Sequence, residues 1–390
     1  MNLHFIPDNG FLNYFIHEAE KLDDSINKFI IVTGATPISK PTKKKIVSKN
    51  VIACRYQSAE YNNYVGNEKE YKKVFFHFLT DTTCDFINRN SDSSIEFYWM
   101  FWGADLYMPL SKFANSIYDL SALQYYHHHT TFNKTGSLFL DFIKYSKRKI
   151  AGNYFDNKSY RLRVKSIERI NYFCHYNMMD YNLLKQTFQT KAVFKPFFYH
   201  EYDYSQLLNL DYLDTTSIKH KFNITAKTII QVGHSASLSN NHFSAFQNLS
   251  KQSLVDTQII CPLSYGDFKY REKVIEEGKK LFGNDFIPIL DYLSKDEYLS
   301  LLSTIDISIM NHYRTEAAGN VFMLMAMQKK VVLNQKSNLY RFLKEKGSNI
   351  YNNEEDYIKV SNESYLNNYK IIIDEFSDQK LIRFVIENLN

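Results

Sequence analysis

Four residues within a short loop, Arg314, Glu316, Gly319 and Asn320, have the chemistry to hold a diphosphate. Arg314 can make a bidentate, charge-assisted contact to phosphate. Glu316 can accept hydrogen bonds from ribose or sugar hydroxyls. Gly319 lets the backbone approach an anion closely. Asn320 is the expected N-cap of the apolar run 321–327. A helix starting there would aim its free N–H groups and positive dipole end at the loop. The same residues would also suit a plain capped helix beside a surface ion pair, so the loop alone does not decide.

A second loop has compatible chemistry. Gly233-His234-Ser235-Ala236-Ser237-Leu238-Ser239-Asn240-Asn241-His242 follows an apolar strand pattern at 228–232. Ser235, Asn240 and Asn241 can donate to phosphate or sugar oxygens; Ser239 or Asn240 could equally be an ordinary helix cap. In the first half, Asp105 follows the strand pattern 97–101 and is the first candidate for a general base, with helix capping as its other reading. Asp8 and His127 are weaker base candidates. The run His127-His128-His129 reads as a surface or partly packed cluster, because adjacent residues cannot all point one way. A metal-dependent sugar transferase would need an acidic DxD-like triplet after a strand, and none occurs; Glu201-Tyr202-Asp203 is the nearest imitation. No required metal and no cofactor is expected.

The elements that must position these loops alternate. In the first half, strand patterns at 3–6, 29–32, 51–54, 74–79 and 97–101 are interspersed with helical ones. In the second, strands at 228–232, 257–262, 286–289, 307–310 and 331–333 alternate with helices at 241–251, 270–282, 295–304 and 320–328. Such alternation predicts parallel sheets with crossover helices. Functional loops then follow the carboxyl ends of the strands. The expected fold is α/β, with two Rossmann-like domains facing a central cleft. Residues 1–198 would form the N-terminal, acceptor-side domain and 199–225 a linker. Residues 226–360 would form the C-terminal, nucleotide-sugar-binding domain, and 361–390 a helical segment packing back on the first.

As a set, Val232-Gly233-His234-Ser235, Ser239-Asn240-Asn241-His242, Pro262-Leu263-Ser264-Tyr265-Gly266 and Arg314 to Gly319 resemble the TDP-N-acetylfucosamine:lipid II N-acetylfucosaminyltransferases. These are GT-B glycosyltransferases of bacterial surface-polysaccharide synthesis. The likeness is strongest over 228–345 and rests in the first half on Trp102-Gly103-Ala104-Asp105-Leu106-Tyr107. Pro7-Asp8-Asn9-Gly10 is only loosely similar. The resemblance implies that Gly233, Ser235 and Asn240 border the donor phosphates and that Tyr265 and Gly266 lie near the nucleoside. By the same likeness Tyr292 and Leu293 border the base, Arg314, Gly319 and Asn320 hold the diphosphate, and Glu316 contacts ribose or sugar.

Bulk properties narrow the class. The chain has 390 residues, 44% of them hydrophobic, which suits two cored domains rather than disorder. Its net charge of +5 is modest, and no nucleic-acid recognition motif appears. Four scattered cysteines without CxxC suggest a reducing compartment. No signal-peptide pattern and no membrane-spanning apolar run is found, so a cytoplasmic protein is expected, peripheral at the inner face of the membrane. Residues 40–49 carry five Lys, and 144–169 carry nine Lys or Arg against Asp156 and Glu168. The apolar stretch Leu138-Phe139-Leu140 with Phe142 and Ile143 sits beside the second basic run. That pairing suits an anionic membrane surface; a core-facing helix with a solvated basic face is the plainer reading.

The expected partners are therefore a nucleotide-diphosphate sugar donor and a lipid-linked or saccharide acceptor. In such a transfer Arg314 and the helix end would stabilise the leaving diphosphate, and Asp105 would take the acceptor proton. A nucleotide-sugar epimerase of GT-B fold and a noncatalytic scaffold of that fold are the alternatives.

Overall fold

The computed structural model describes residues 1–22, 25–33, 45–66, 70–90, 94–107, 117–123, 125, 157–199, 203–358 and 365–390. The chain divides into two compact units. The first comprises Met1–Ser111, Arg148–Tyr202 and Phe376–Asn390; the second comprises Lys112–Lys147 and Asp203–Glu375.

The first unit is built on a seven-stranded sheet of β1 (Asn2–Phe5), β2 (Asn27–Thr33), β3 (Val51–Arg55), β4 (Lys73–Phe76), β5 (Glu96–Met100), β6 (Tyr172–Cys174) and β7 (Val193–Lys195). Its order is β3-β2-β1-β4-β5-β6-β7, and every pairing is parallel. Parallel strands are covered on both faces, which explains their nearly continuous apolar sequences. Phe15, Phe29, Phe75 and Tyr98 pack in one core cluster with Leu381, Phe384, Val385 and Leu389 of the last helix, Asp378–Leu389. That terminal helix therefore belongs to the first unit.

The second unit repeats the plan with β8 (Thr228–Val232), β9 (Thr257–Pro262), β10 (Phe286–Ile289), β11 (Ile307–Met310), β12 (Lys330–Leu333) and β13 (Tyr351–Asn352). Its order is β10-β9-β8-β11-β12-β13, again all parallel. In each sheet the order reverses beside the first strand, between β1 and β4 and between β8 and β11. Doubly wound sheets bind ligands outside the carboxyl ends of the strands at such reversals.

Two parts of the chain differ from the sequence reading. Residues 203–225 are not a bare linker. They form the turn Tyr204–Leu208 and the helix Thr215–Lys221, and bury Tyr204, Leu207 and Ile218 in the second unit. Their apolar residues lack a regular period, which hid the elements. Residues 117–123 and 125 cluster with the second unit, where Asn241 donates to the Ile117 carbonyl (3.3 Å) and accepts from the Asp119 N–H (2.8 Å).

Candidate active site

The loops that follow β8 and β11 lie side by side at the second sheet's reversal. Gly233 starts the first at φ +69, and a Cβ there would meet His242 Nε2 at 2.6 Å and Asn240 Oδ1 at 2.8 Å. Its N–H donates to the Ile309 carbonyl at 2.9 Å, which ties the loop to β11. Asn240 is fully buried and organises the turn. Its Nδ2 donates to the Ser237 carbonyl (3.1 Å) and Ser235 Oγ (3.2 Å). Its Oδ1 therefore faces the His234 N–H (3.0 Å) and His312 Nε2 (3.1 Å). An amide oxygen can only accept, so His312 carries its proton on Nε2 and leaves Nδ1 bare.

Asparagines brace the two loops. Asn241, in the left-handed region at φ 49, donates to the Asn311 carbonyl at 3.0 Å. Asn311 donates back to the Asn241 carbonyl (3.1 Å) and to Ser244 Oγ (2.8 Å). Asn311 Oδ1 accepts from Asn334 (2.8 Å) and Asn353 (3.1 Å). Ser239 Oγ reaches across to Glu316 Oε1 at 2.9 Å.

Arg314 is the charged centre. It is buried, and its Nη2 lies 2.9 Å from Glu316 Oε2. Burial alone would raise the Glu316 pKa, but the guanidinium, with His312, His234 and Ser239 beside it, holds it down to about 2. Burial pushes the His312 imidazole down to about 3 and lowers His234 as well. Their rings are 5.1 Å apart. The pocket therefore holds one guanidinium, one carboxylate and two neutral imidazoles. His234, His312 and Glu316 each offer a ligand atom within 4.8 Å of the others and could hold a metal; the Arg314 charge on the same carboxylate opposes it.

The helix after the second loop starts at Ala318, not Asn320, and runs to Ala326. Ala317 occupies the N-cap position in the left-handed region, with φ 56 and no side-chain cap. Gly319 thus lies in the first helical turn, with open space where a Cβ would be. Asn320 is not the cap; its Oδ1 accepts from the Tyr298 hydroxyl at 2.8 Å. The first-turn N–H groups are those that helix geometry leaves without an intrahelical acceptor. They sit six or fewer residues beyond Arg314, so a guanidinium and a helix N-terminus come from one short segment.

The loop after β9 is hooked onto the loop after β8. The Ala236 N–H donates to the Tyr265 carbonyl (2.8 Å), and the Asp267 N–H donates to the Ala236 carbonyl (2.9 Å). Gly266 makes this bridge possible: it sits at φ +118, and a Cβ would lie 2.5 Å from the Ala236 oxygen. Gly266→Ala is expected to cost about 3 kcal/mol through strain and clash. A thermal melt reads this, and an unchanged melting temperature would contradict the bridge. Tyr265 is half exposed, and Tyr292, after neighbouring β10, is 85% exposed. Leu293 is buried and does not present its side chain with Tyr292. Ser235 is also buried, its hydroxyl held by Asn240. The structure therefore brings together Gly233, Ser235, Asn240, Arg314, Glu316 and Gly319, joins Tyr265 and Gly266 to them through Ala236, and leaves Leu293 in the core.

Asp105 belongs to the first unit and has no exposed surface. Its Oδ2 accepts from the Trp99 indole N–H (2.5 Å) and the Leu79 N–H (3.3 Å), and its Oδ1 from the Trp102 N–H (3.2 Å). Burial raises its pKa, with these donors pulling the other way. A carboxylate so held fastens the segment after β5 to that after β4, and is poorly placed to meet an acceptor hydroxyl. Asp105→Asn is expected to lower stability by about 2 kcal/mol, because an amide replaces an acceptor that three N–H groups share. Nucleotide affinity should not change. A normal melt with lost turnover would restore Asp105 as the base. Asp8 accepts from the Lys45 N–H at 3.0 Å. His127 to His129, Glu201-Tyr202 and residues 138–143 lie outside the described residues. So do residues 40–44 and 144–156.

Sequence reasoning missed the asparagine bracing and the His234–His312 pair. The one available signal was position: both histidines stand just after strands that flank the reversal.

Two parallel, doubly wound α/β sheets in two units define the GT-B fold of glycosyltransferases. HepE of Anabaena, solved in complex with UDP, matches 100% of this chain and 98% of its own at 11% identity and a TM-score of 0.66. A glycosyltransferase from Rickettsia africae matches 100% and 97% at 13% identity and 0.64. An alpha,alpha-trehalose-phosphate synthase (UDP-forming) from Burkholderia xenovorans matches 100% and 99% at 9% identity and 0.61. At such identities these likenesses establish the fold.

The sequence adds a further likeness. Residues 202–376 match the family model of the 4-alpha-L-fucosyltransferases, glycosyl transferase group 56. Fold and family match together support a glycosyltransferase, and the matched stretch contains the second-half loops at 232–242, 262–266 and 314–319 on which the resemblance to N-acetylfucosaminyltransferases mainly rests.

Proposed function

We propose that the chain transfers a sugar from a nucleoside-diphosphate donor, TDP-linked and N-acetylfucosamine-like, to a lipid-linked or saccharide acceptor in bacterial surface-polysaccharide synthesis. The observation that carries this reading is the buried Arg314, which stands just before the N-terminus of helix Ala318–Ala326 at the reversal of the second sheet. Breaking the anomeric C–O bond leaves negative charge on the departing diphosphate. A fixed guanidinium and helix N–H groups stabilise that charge, and such donors contribute several kcal/mol where water is excluded. The leaving group then needs no metal. Tyr265 and Tyr292 supply exposed aromatic surface for the base. HepE, solved with UDP and with UDP-glucose, supports a nucleotide-sugar donor. Membrane association at the cytoplasmic face would follow from a lipid-linked acceptor. Among the described residues no helix is long and apolar enough to cross a membrane.

The test is a panel of nucleotide sugars incubated with and without lipid-linked saccharide, in EDTA. The expected result is nucleoside diphosphate release that requires both substrates. Turnover of the donor without acceptor, with an isomerised sugar, would identify an epimerase. Binding of no nucleotide sugar would leave a scaffold.

A further inference from the structure

The first sheet has its own reversal, between β1 and β4, and four aromatic residues gather at the carboxyl ends around it. Phe11 follows β1 in the turn Gly10–Leu12, Phe78 follows β4, Trp102 follows β5 and Tyr199 follows β7. All four are partly exposed. Ring centroids lie 5.8 Å apart for Phe11–Trp102, 5.3 Å for Phe11–Tyr199, 5.4 Å for Trp102–Tyr199 and 6.2 Å for Phe78–Trp102. The interplanar angles of 80°, 56°, 75° and 88° show that the rings do not stack flat on one another.

Behind this cluster runs a hydrogen-bonded chain whose polarity follows from its inner end. Asn2 Nδ2 donates to the Leu389 carbonyl at 2.7 Å, which fixes the orientation of that amide. The same nitrogen donates to Asn27 Oδ1 at 2.9 Å, so the Asn27 oxygen faces the chain. His4 Nε2, 3.2 Å from that oxygen, must carry a proton, and His4 Nδ1 is then bare. His77 Nε2, 3.0 Å from His4 Nδ1, must donate to it, which leaves His77 Nδ1 bare. The Tyr199 hydroxyl, 2.6 Å from His77 Nδ1, must therefore send its proton inward. Asn2, Asn27, His4 and His77 are all buried, and burial pushes His4 down to about 3 and His77 well below its ordinary value. The chain therefore keeps one direction. With its proton sent inward, Tyr199 Oη offers only lone pairs to a further partner, and the neighbouring Trp102 side chain is one donor to it.

A tyrosine that needs only a satisfied hydroxyl can donate to a single carbonyl. Here four side chains, on β1 and β2 and just past β4, with one backbone carbonyl of the terminal helix, hold one phenol in one orientation. Aromatic rings with an oriented hydrogen-bond acceptor suit a sugar: its C–H face packs on the rings, and its hydroxyl or amide N–H meets the oxygen. We propose that Phe11, Trp102 and Tyr199 seat a pyranose ring of the acceptor saccharide, with Tyr199 Oη accepting a hydrogen bond from it. That it is the acceptor's ring rests on the transferase reading above; that a saccharide binds there does not. An apolar lipid tail would use the rings but not the oriented oxygen.

The full chain offers its own reporter. Of its two tryptophans, Trp99 has no exposed surface and its indole N–H is held by Asp105. Acrylamide quenching therefore reports mainly on Trp102. We would titrate the methyl glycosides of N-acetylglucosamine, glucose and galactose, following quenching and saturation-transfer NMR. At least one glycoside is expected to protect Trp102, with saturation strongest on one C–H face. Phe11→Ala should weaken that binding about tenfold and Trp102→Ala should abolish it. Tyr199→Phe should weaken it about tenfold for the parent glycoside, but not for the deoxy analogue that lacks the contacting hydroxyl. A role confined to folding would not distinguish the two sugars. Melting curves for each variant separate lost binding from lost folding. The inference is overturned if no glycoside shows saturation transfer, if the variants bind as the wild type does, or if only a short polyprenyl phosphate protects Trp102. TDP and UDP titrations of the same samples test the donor site separately, so either reading can fail while the other stands.

Discussion

Arg314→Ala is expected to weaken binding of a nucleoside diphosphate by about a hundredfold or more, and to lower the rate of transfer at least as much. The side chain is buried against Glu316, with N and O 2.9 Å apart. Hydrogen bonds to charged groups contribute about 1.5–3 kcal/mol each, and about 2.7 kcal/mol corresponds to a hundredfold in affinity. Removing Arg314 also leaves the Glu316 carboxylate buried without its cation, which destabilises by about 3–5 kcal/mol. The Glu316 pKa, held near 2 with Arg314 present, should then rise. Lost binding must be separated from lost folding, and a second substitution does so. Arg314→Ala combined with Glu316→Gln removes the orphan charge. The double variant should regain most of its melting temperature and none of its affinity for nucleotide. Arg314→Lys keeps a charge without the planar fork and should fall between. Calorimetry with TDP and UDP reads all three. If Arg314→Ala folds normally and binds nucleotide as the wild type does, the site assignment is wrong.

The second large effect is acid lability. His4, in the first unit, and His242, in the second, are fully buried, and burial pushes both down to about 3. His77 is lowered in the same way. In the unfolded chain these imidazoles take up protons near pH 6.5, whereas in the folded chain they stay neutral. The unfolded state therefore binds more protons as pH falls, and stability drops from about pH 6.5 toward 3 at roughly 1.4 kcal/mol per pH unit for each such histidine. Between pH 6.5 and 4.5, His4 and His242 together account for about 5 kcal/mol on this basis. Glu316, depressed to about 2, removes further stability below pH 4.5. Asp105, with a raised pKa, acts in the opposite direction over its own window. Urea midpoints measured from pH 7.5 to 4.5 should fall steeply below 6.5. His4→Gln, which can keep amide contacts without titrating, should flatten the curve for the first unit. A midpoint unchanged between pH 7 and 5 would contradict the neutral buried imidazoles.

The loops of the proposed donor site are the ones the sequence draws attention to, because an anion site demands particular residue types close together. Arg314, Gly319 and the apolar helix lie within one short segment, and Gly233 opens a polar loop after the first strand of its sheet. The helix start was misplaced by two residues for a local reason: Ala317 holds a left-handed N-cap position that has no side-chain signature. The asparagine bracing was not readable. Asn241 and Asn311 are 70 residues apart, and nothing in an asparagine's immediate neighbours shows that its partner is another loop. Asp105 illustrates the same limit at short range. An acidic residue just past a strand fits both a base at a cleft and a buried anchor, and the Trp99 and Leu79 donors that decide between them emerge only on folding. The direction of the His4–His77–Tyr199 chain is set from Leu389, at the opposite end of the polypeptide. Periodicity recovers elements whose cores are built locally, and it cannot recover polar networks assembled from distant segments.

On the proposed function, the second unit holds a nucleoside diphosphate between Arg314 and the start of the helix Ala318–Ala326. A crystal structure with TDP or UDP bound tests it most directly. Phosphate oxygens are expected within hydrogen-bond distance of the Arg314 guanidinium and of the N–H groups at Gly319 and Asn320, with the base beside Tyr265 or Tyr292. A nucleotide bound elsewhere, with Arg314 still paired only to Glu316, would contradict it.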